Sequence, residues 1–99
     1  KKGPVLNLSA PGQDASSPQV ATAPNGASTI TWYRYEGSKL IVQAVRIDAK
    51  GKKGPVLNLS APGQDASSPQ VATAPNGAST ITWRRYDGSN NVVQAVLLR

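Results

Sequence analysis

The chain has 99 residues and a mass of 10.3 kDa, with 11 Lys and Arg against 5 Asp and Glu, for a net charge of +6. It contains no Cys, His, Met or Phe, which excludes disulfides, thiol nucleophiles, imidazole bases and ordinary zinc sites; without a G-x-S-x-G or Ser-x-x-Lys pattern either, no enzyme, cofactor or metal chemistry is expected. Hydrophobic residues make up only 38%, lean for one domain that must bury most of its apolar surface, and no apolar run nears the ~18 residues of a membrane helix.

The N-terminal Lys1-Lys2-Gly3-Pro4 lacks the apolar stretch of a signal peptide, so a soluble chain is expected. Val5, Leu6, Asn7, Leu8 and Ser9 follow. Leu6 and Leu8 share one face by alternation, which predicts a half-buried strand over residues 5–9. Ala10-Pro11-Gly12 ends it, and residues 13–18 hold turn formers in which Asp14 is placed to cap the N–H two residues on. A short strand of small side chains is predicted over residues 19–23, stopped by Pro24-Asn25-Gly26, where Asn-Gly marks a tight turn. Residues 28–35 carry Thr29, Ile30, Thr31, Trp32, Tyr33 and Tyr35, the β-branched and aromatic composition of a strand. After Glu36-Gly37-Ser38, residues 40–47 read as its hairpin partner. No segment has helical apolar spacing, and the eight prolines argue against a helix.

The sequence then begins again. Residues 1–32 are identical to residues 52–83, an offset of 51, and residues 33–48 match 84–99 at about half of their positions. The units are 1–51 and 52–99. Internal repeats of this length signal a modular architecture. Identity extends through loop residues that drift would alter first, which points to a recent amplification or to deliberate design. Every difference falls after Trp32, including Tyr33 against Arg84 and Arg46 against Leu97.

Each unit thus holds four short antiparallel strands. The stretch from Pro18-Gln19-Val20 through Pro24-Asn25-Gly26 to Thr31-Trp32, repeated from Pro69 to Trp83, resembles the strand, Pro-Asp/Asn-Gly turn, strand core of WD40-like, TolB-type β-propeller blades, without the Gly-His and Trp-Asp dipeptides of true WD40 repeats. The resemblance implies an all-β propeller in which residues 19–23 form the innermost strand of a blade and residues 5–9 the outermost strand of the one before it. A β-trefoil is the competing architecture; its sugar-binding versions carry Gln-x-Trp, whereas Gln43 and Gln94 precede Ala-Val.

Labelled outward from the axis, the strand order becomes D, A-B-C-D, A-B-C. One blade is whole and the other is split, and a ring needs about four or more blades. The expectation is a cyclic homo-oligomer, a trimer of six blades or a tetramer of eight, in which Val5, Leu6, Asn7, Leu8 and Ser9 of one copy pair with Val92, Val93, Gln94, Ala95, Val96, Leu97 and Leu98 of the next. The chain stops three residues short of two full units, a gap that about 10 Å of extended chain spans.

Lys50, Lys52 and Lys53, echoed by Lys1 and Lys2, form a basic cluster that either attracts polyanions or serves as a solvated loop protecting a sheet edge. No aromatic platform accompanies it, which argues against nucleic acid. Trp32 and Trp83 suit stacking on a ligand but fit the packing between blades better, and Asp14 and Asp65 supply too few oxygens for calcium. Arg34 and Arg85 are placed to pair with Asp14, Asp65 or Glu36. Two functions remain: a self-assembling structural repeat protein, or a multivalent module binding glycan, protein or polyanion.

Overall fold

The computed structural model describes residues 2–99. It contains β1 (Ala15–Thr22), β2 (Ser28–Glu36), β3 (Lys39–Ile47), β4 (Leu57–Asn58), β5 (Ala66–Thr73), β6 (Ser79–Tyr86) and β7 (Asn91–Leu98). The strands form two antiparallel sheets: sheet I in the order β1-β2-β3-β4, and sheet II in the order β5-β6-β7. The all-β expectation holds. Neither sheet closes on itself, and no helix is long and apolar enough to cross a membrane.

Turn chemistry fixes the first hairpin of each sheet. Pro24 supplies its fixed φ, Gly26 N–H bonds to Ala23 O at 2.9 Å, and Gly26 takes φ +93°, a left-handed step that a side chain would resist. The Asn25 carboxamide accepts from Ala27 N–H at 2.9 Å and pins the corner. The second hairpins differ because their sequences do. β2 and β3 pair out to Glu36 and Lys39 across Gly37-Ser38, whereas β6 and β7 stop at Tyr86 and Asn91. The shorter Asp87 side chain folds back to accept from the N–H groups of Ser89 and Asn90. Those bonds hold its carboxyl below the ordinary range.

Three elements differ from the sequence expectation. The strand expected over residues 19–23 and its repeat copy start at Ala15 and Ala66, because a bulge between Ser16 and Gln19 lets the chain stay paired through Ser17-Pro18. Ser17 and Ser68 pay for this with φ values of +53° and +55°. The strand expected over residues 56–60 shrinks to Leu57–Asn58, paired with Ala44 and Gln43. Residues 5–9, although identical in sequence, form no strand. A strand needs an edge to pair with; the copy at Leu57–Asn58 takes the edge of β3, and residues 5–9 pair with no strand of the single chain.

The sheets pack face to face. Strand alternation puts Tyr33, Val42 and Ala44 on one face of sheet I, against Ala66, Ile81 and Trp83 of sheet II. Leu59 continues from β4 into the same cluster. Both tryptophans are buried, and each indole N–H donates to a glutamine on the neighbouring strand: Trp32 to Gln43 at 3.1 Å, and Trp83 to Gln94 at 3.0 Å. The stacking alternative for Trp32 and Trp83 is therefore corrected, since their faces are committed to packing.

Ile81 is fully buried, while its sequence twin Ile30 is half-buried beside an open groove. Ile81→Ala is expected to cost about 2–5 kcal/mol in chemical denaturation, and Ile30→Ala measurably less. For Asp87 the folded pKa lies below the unfolded value, so its contribution is complete above the unfolded value of about 3.9 and is lost as pH falls through the folded one. Melting temperature should drop across that acidic window less steeply in Asp87→Asn than in the wild type.

Candidate functional site

The joint between the sheets is built from strand edges and loop side chains. The Asp65 carboxylate accepts from Leu40 N–H at 2.8 Å, and the Ser60 hydroxyl accepts from Val42 N–H at 2.8 Å. Leu59 N–H donates to Val42 O at 2.8 Å, and the Gln43 amide donates to Asn58 Oδ1 at 2.7 Å. Between β2 and β6, the Thr29 and Ser79 hydroxyls share a buried hydrogen bond of 2.8 Å.

Arg46 closes the joint. Its guanidinium donates to the Gly77, Leu98 and Arg99 carbonyls of sheet II and to Thr29 Oγ1 of its own sheet. Few side chains span two sheets this way; the fork geometry of five donors suits it to converging carbonyls.

Apart from Arg46, whose twin is Leu97, the side chains in these bonds have identical copies 51 residues away, and on the outer faces the copies stand apart. Along β7, the N–H of Asn91, the N–H and C=O of Val93 and the Gln94 amide line the edge of a three-stranded sheet that has no fourth strand. Val93 is 76% exposed, whereas its twin Val42 is 0% exposed. Thr80, Ala95 and Leu97 on that face are also exposed. Val92, Val96 and Leu98 point the other way, toward the buried cluster, with Val96 and Leu98 packed against it.

On the far side of sheet I, the segment containing Leu6, Asn7, Leu8 and Ser9 lies along the Ile30 and Trp32 face and leaves a groove of about 540 Å³. Val5 is exposed. The segment is held by Arg34, which donates to Ala10 O and Pro11 O at 3.4 Å, and by Lys53 Nζ, 3.5 Å from Asn7 O. Leu8 stands to Ile30 and Trp32 as Leu59 stands to Ile81 and Trp83. The two expected groups, residues 5–9 and 92–98, therefore lie on opposite outer surfaces and do not meet in one chain.

Other expectations are revised. Arg34 binds backbone carbonyls rather than Asp14, Asp65 or Glu36, because the chain at Ala10 and Pro11 crosses its path first. Asp65 does not cap its own turn; the Leu40 N–H of the other sheet takes its carboxylate. Arg46, Ser60 and Asp65 were not legible as joint residues. The one signal was the exchange of Arg46 for Leu97 between otherwise similar strands. Tyr33 has its pKa lowered by hydrogen bonds from the Ser16 and Ser17 hydroxyls across the strand pair, and Arg84 replaces it in sheet II. Lys50, Lys52 and Lys53 are on the loop after β3, with Lys50 and Lys52 presenting their N–H groups to the Asp48 carboxylate at 2.9 Å.

Comparison with protein-family models, with curated proteins and with solved structures gives no match. The geometry of the joint and of its two open counterparts carries the functional argument.

Arg46→Leu installs the residue that its own repeat twin carries, so the strand tolerates it. Loss of charge-assisted bonds to three carbonyls should lower unfolding free energy by about 1.5–3 kcal/mol in urea titrations, while Leu97→Ala changes it little.

Proposed function

We propose that this chain is a non-catalytic, self-assembling β-propeller module. Sheet I is a whole blade, with β1 innermost and β4 outermost. Sheet II is a blade without its outer strand, and residues 5–9 of another copy supply it. Two blades per copy make a ring of six blades from three copies or eight from four.

The observation that carries this reading is the match between the formed joint and the two open faces. Moving the joint contacts other than those of Arg46 by one repeat pairs Asn91 N–H with Asp14, Val93 N–H with the Ser9 hydroxyl, and Leu8 N–H with Val93 O. It likewise pairs the Gln94 amide with Asn7 and the Thr80 hydroxyl with Ser28. The chemical groups are the same in every pair. The apolar surfaces correspond as well: Val93 and Ala95 face the groove lined by Ala15, Ile30 and Trp32, as Val42 and Ala44 face Ala66, Ile81 and Trp83.

Energetics favour occupancy. An edge strand with free N–H and C=O groups and an exposed valine face is an association surface unless something blunts it, and β7 has no proline and no charge between Asn91 and Leu98. The contact is heterologous, the head of one copy on the tail of the next, so it closes into a ring where the rotation permits. A second copy is the occupant whose complementarity is already displayed within the chain.

Native mass spectrometry should show a discrete species of three or four copies. Val93→Asp, an exposed position in the single chain, is expected to leave the circular dichroism spectrum of the protomer intact and to abolish the ring, since the charge would be buried at the contact. Deleting residues 1–9 should do the same. A folded wild-type monomer at micromolar concentration, or an unchanged ring in either variant, overturns the reading.

A further inference from the structure

The charges of this chain are sorted by end. Where β1, β3, β5 and β7 finish, the cations are Arg46, Lys50, Lys52, Lys53 and Arg99, and the one side-chain carboxylate among the described residues is Asp48. Toward the opposite end, Arg34, Lys39, Arg84 and Arg85 are matched by Asp14, Glu36, Asp65 and Asp87. The excess positive charge of these residues therefore sits on one surface. Asp48 offsets one of these five cations, and its carboxylate accepts from the N–H groups of Lys50 and Lys52 in its own loop.

That surface is not flat. Between the two sheets it opens into a groove of about 590 Å³ whose walls are small or hydroxyl-bearing, including Ala23, Ser28, Thr29, Thr73 and Gly77. Arg46, Lys52, Lys53 and Arg99 also line it, with Asp48 as the one acidic side chain among them. A cleft in which one sign of charge predominates concentrates ligands of the opposite sign.

The shape and chemistry narrow the ligand. Trp32 and Trp83 are buried, and Tyr33, Tyr35 and Tyr86 lie toward the balanced end, so no aromatic ring is available to stack on bases or to wedge into a lipid surface. A groove of small walls admits a single narrow chain, whereas a nucleic-acid duplex would touch only its rim. Hydroxyls and the Asn76 amide between the cations suit a polymer that carries hydroxyls between its charges.

We propose that the inter-sheet groove at the basic end binds an anionic polysaccharide, with Lys52 and Arg99 as counter-charges to its acidic groups and Lys53 at its margin, where its Nζ is 3.5 Å from Asn7 O. Arg46 adds its charge to the floor while its N–H groups hold the two sheets together. Its repeat twin is Leu97, so a groove formed at the open face lacks the floor cation, and the site occurs once per chain rather than once per repeat. The groove lies within one chain and does not depend on ring closure.

Titration calorimetry of the full chain with a heparin-derived tetrasaccharide should give one site per chain and an affinity that falls steeply with salt. The Lys52→Gln/Lys53→Gln double variant, altered only at exposed or loop side chains, should weaken binding by about tenfold or more. Lys39→Gln, at the balanced end, should leave it unchanged. The proposal is overturned by the absence of saturable binding, by equal weakening in Lys39→Gln, or by tighter binding to duplex DNA or to phosphatidylserine vesicles than to the tetrasaccharide. Each of these outcomes is independent of the oligomeric state.

Discussion

The pairing of Leu57 and Asn58 with β3 is the contact on which the arrangement of this molecule depends. These two residues belong to the second repeat in sequence, yet they finish the sheet of the first. From Asn58 the chain has seven residues, 59–65, before β5 begins, so completing sheet I places sheet II against it. Ser60 and Leu59 fasten that turn to Val42, and Leu59 enters the cluster between the sheets. The boundary between repeats and the boundary between sheets are therefore out of phase, and the offset leaves sheet II one strand short.

The same offset explains why identical sequence has two fates. Residues 5–9 and 56–60 are the same five residues, but Asn58 is in a strand and Asn7 is not. Thr29 is buried and Thr80 exposed; Val42 is covered and Val93 open to water. Local propensity is equal within each pair, so the difference comes wholly from whether an edge and a facing sheet are present. This is tertiary context overriding a short β-prone segment, the usual behaviour of strands whose stability lies in cross-strand neighbours.

Hairpins and turns were legible for the opposite reason. Pro24-Asn25-Gly26 and the β-branched run through Trp32 act through neighbours in sequence, and alternation correctly set Trp32 against Tyr33 on opposite faces. What could not be read were interactions whose partners are far apart in the chain. Asp65 has the sequence surroundings of a turn cap, and nothing near it reveals that Leu40 N–H arrives from the other sheet. The bulge at Ser17 was hidden too, since a non-glycine residue with φ +53° before a proline is a cost that only the surrounding pairing sustains. The basic loop was visible as a cluster, but its convergence with Arg46 and Arg99 on one groove required the packing of the sheets.

The differences between repeats gain meaning from the faces they occupy. Tyr33 and Arg46 lie on the side of sheet I that meets sheet II, whereas Arg84 and Leu97 lie on the side of sheet II that is exposed. The joint within the chain and the open face that repeats its backbone are thereby made unequal. The joint within the chain has the Arg46 clasp and benefits from connection through β4, which makes its formation intramolecular. Under the assembly reading, the joint between copies has Leu97 and Arg84 at the corresponding places and must meet the entropy of association from burial of Val93, Ala95 and Leu97 alone with the shared hydrogen bonds. Under the same reading that inequality sets the order of events: each chain forms its own two-sheet unit first and presents an open edge and groove, and ring closure selects among folded copies without competing with folding.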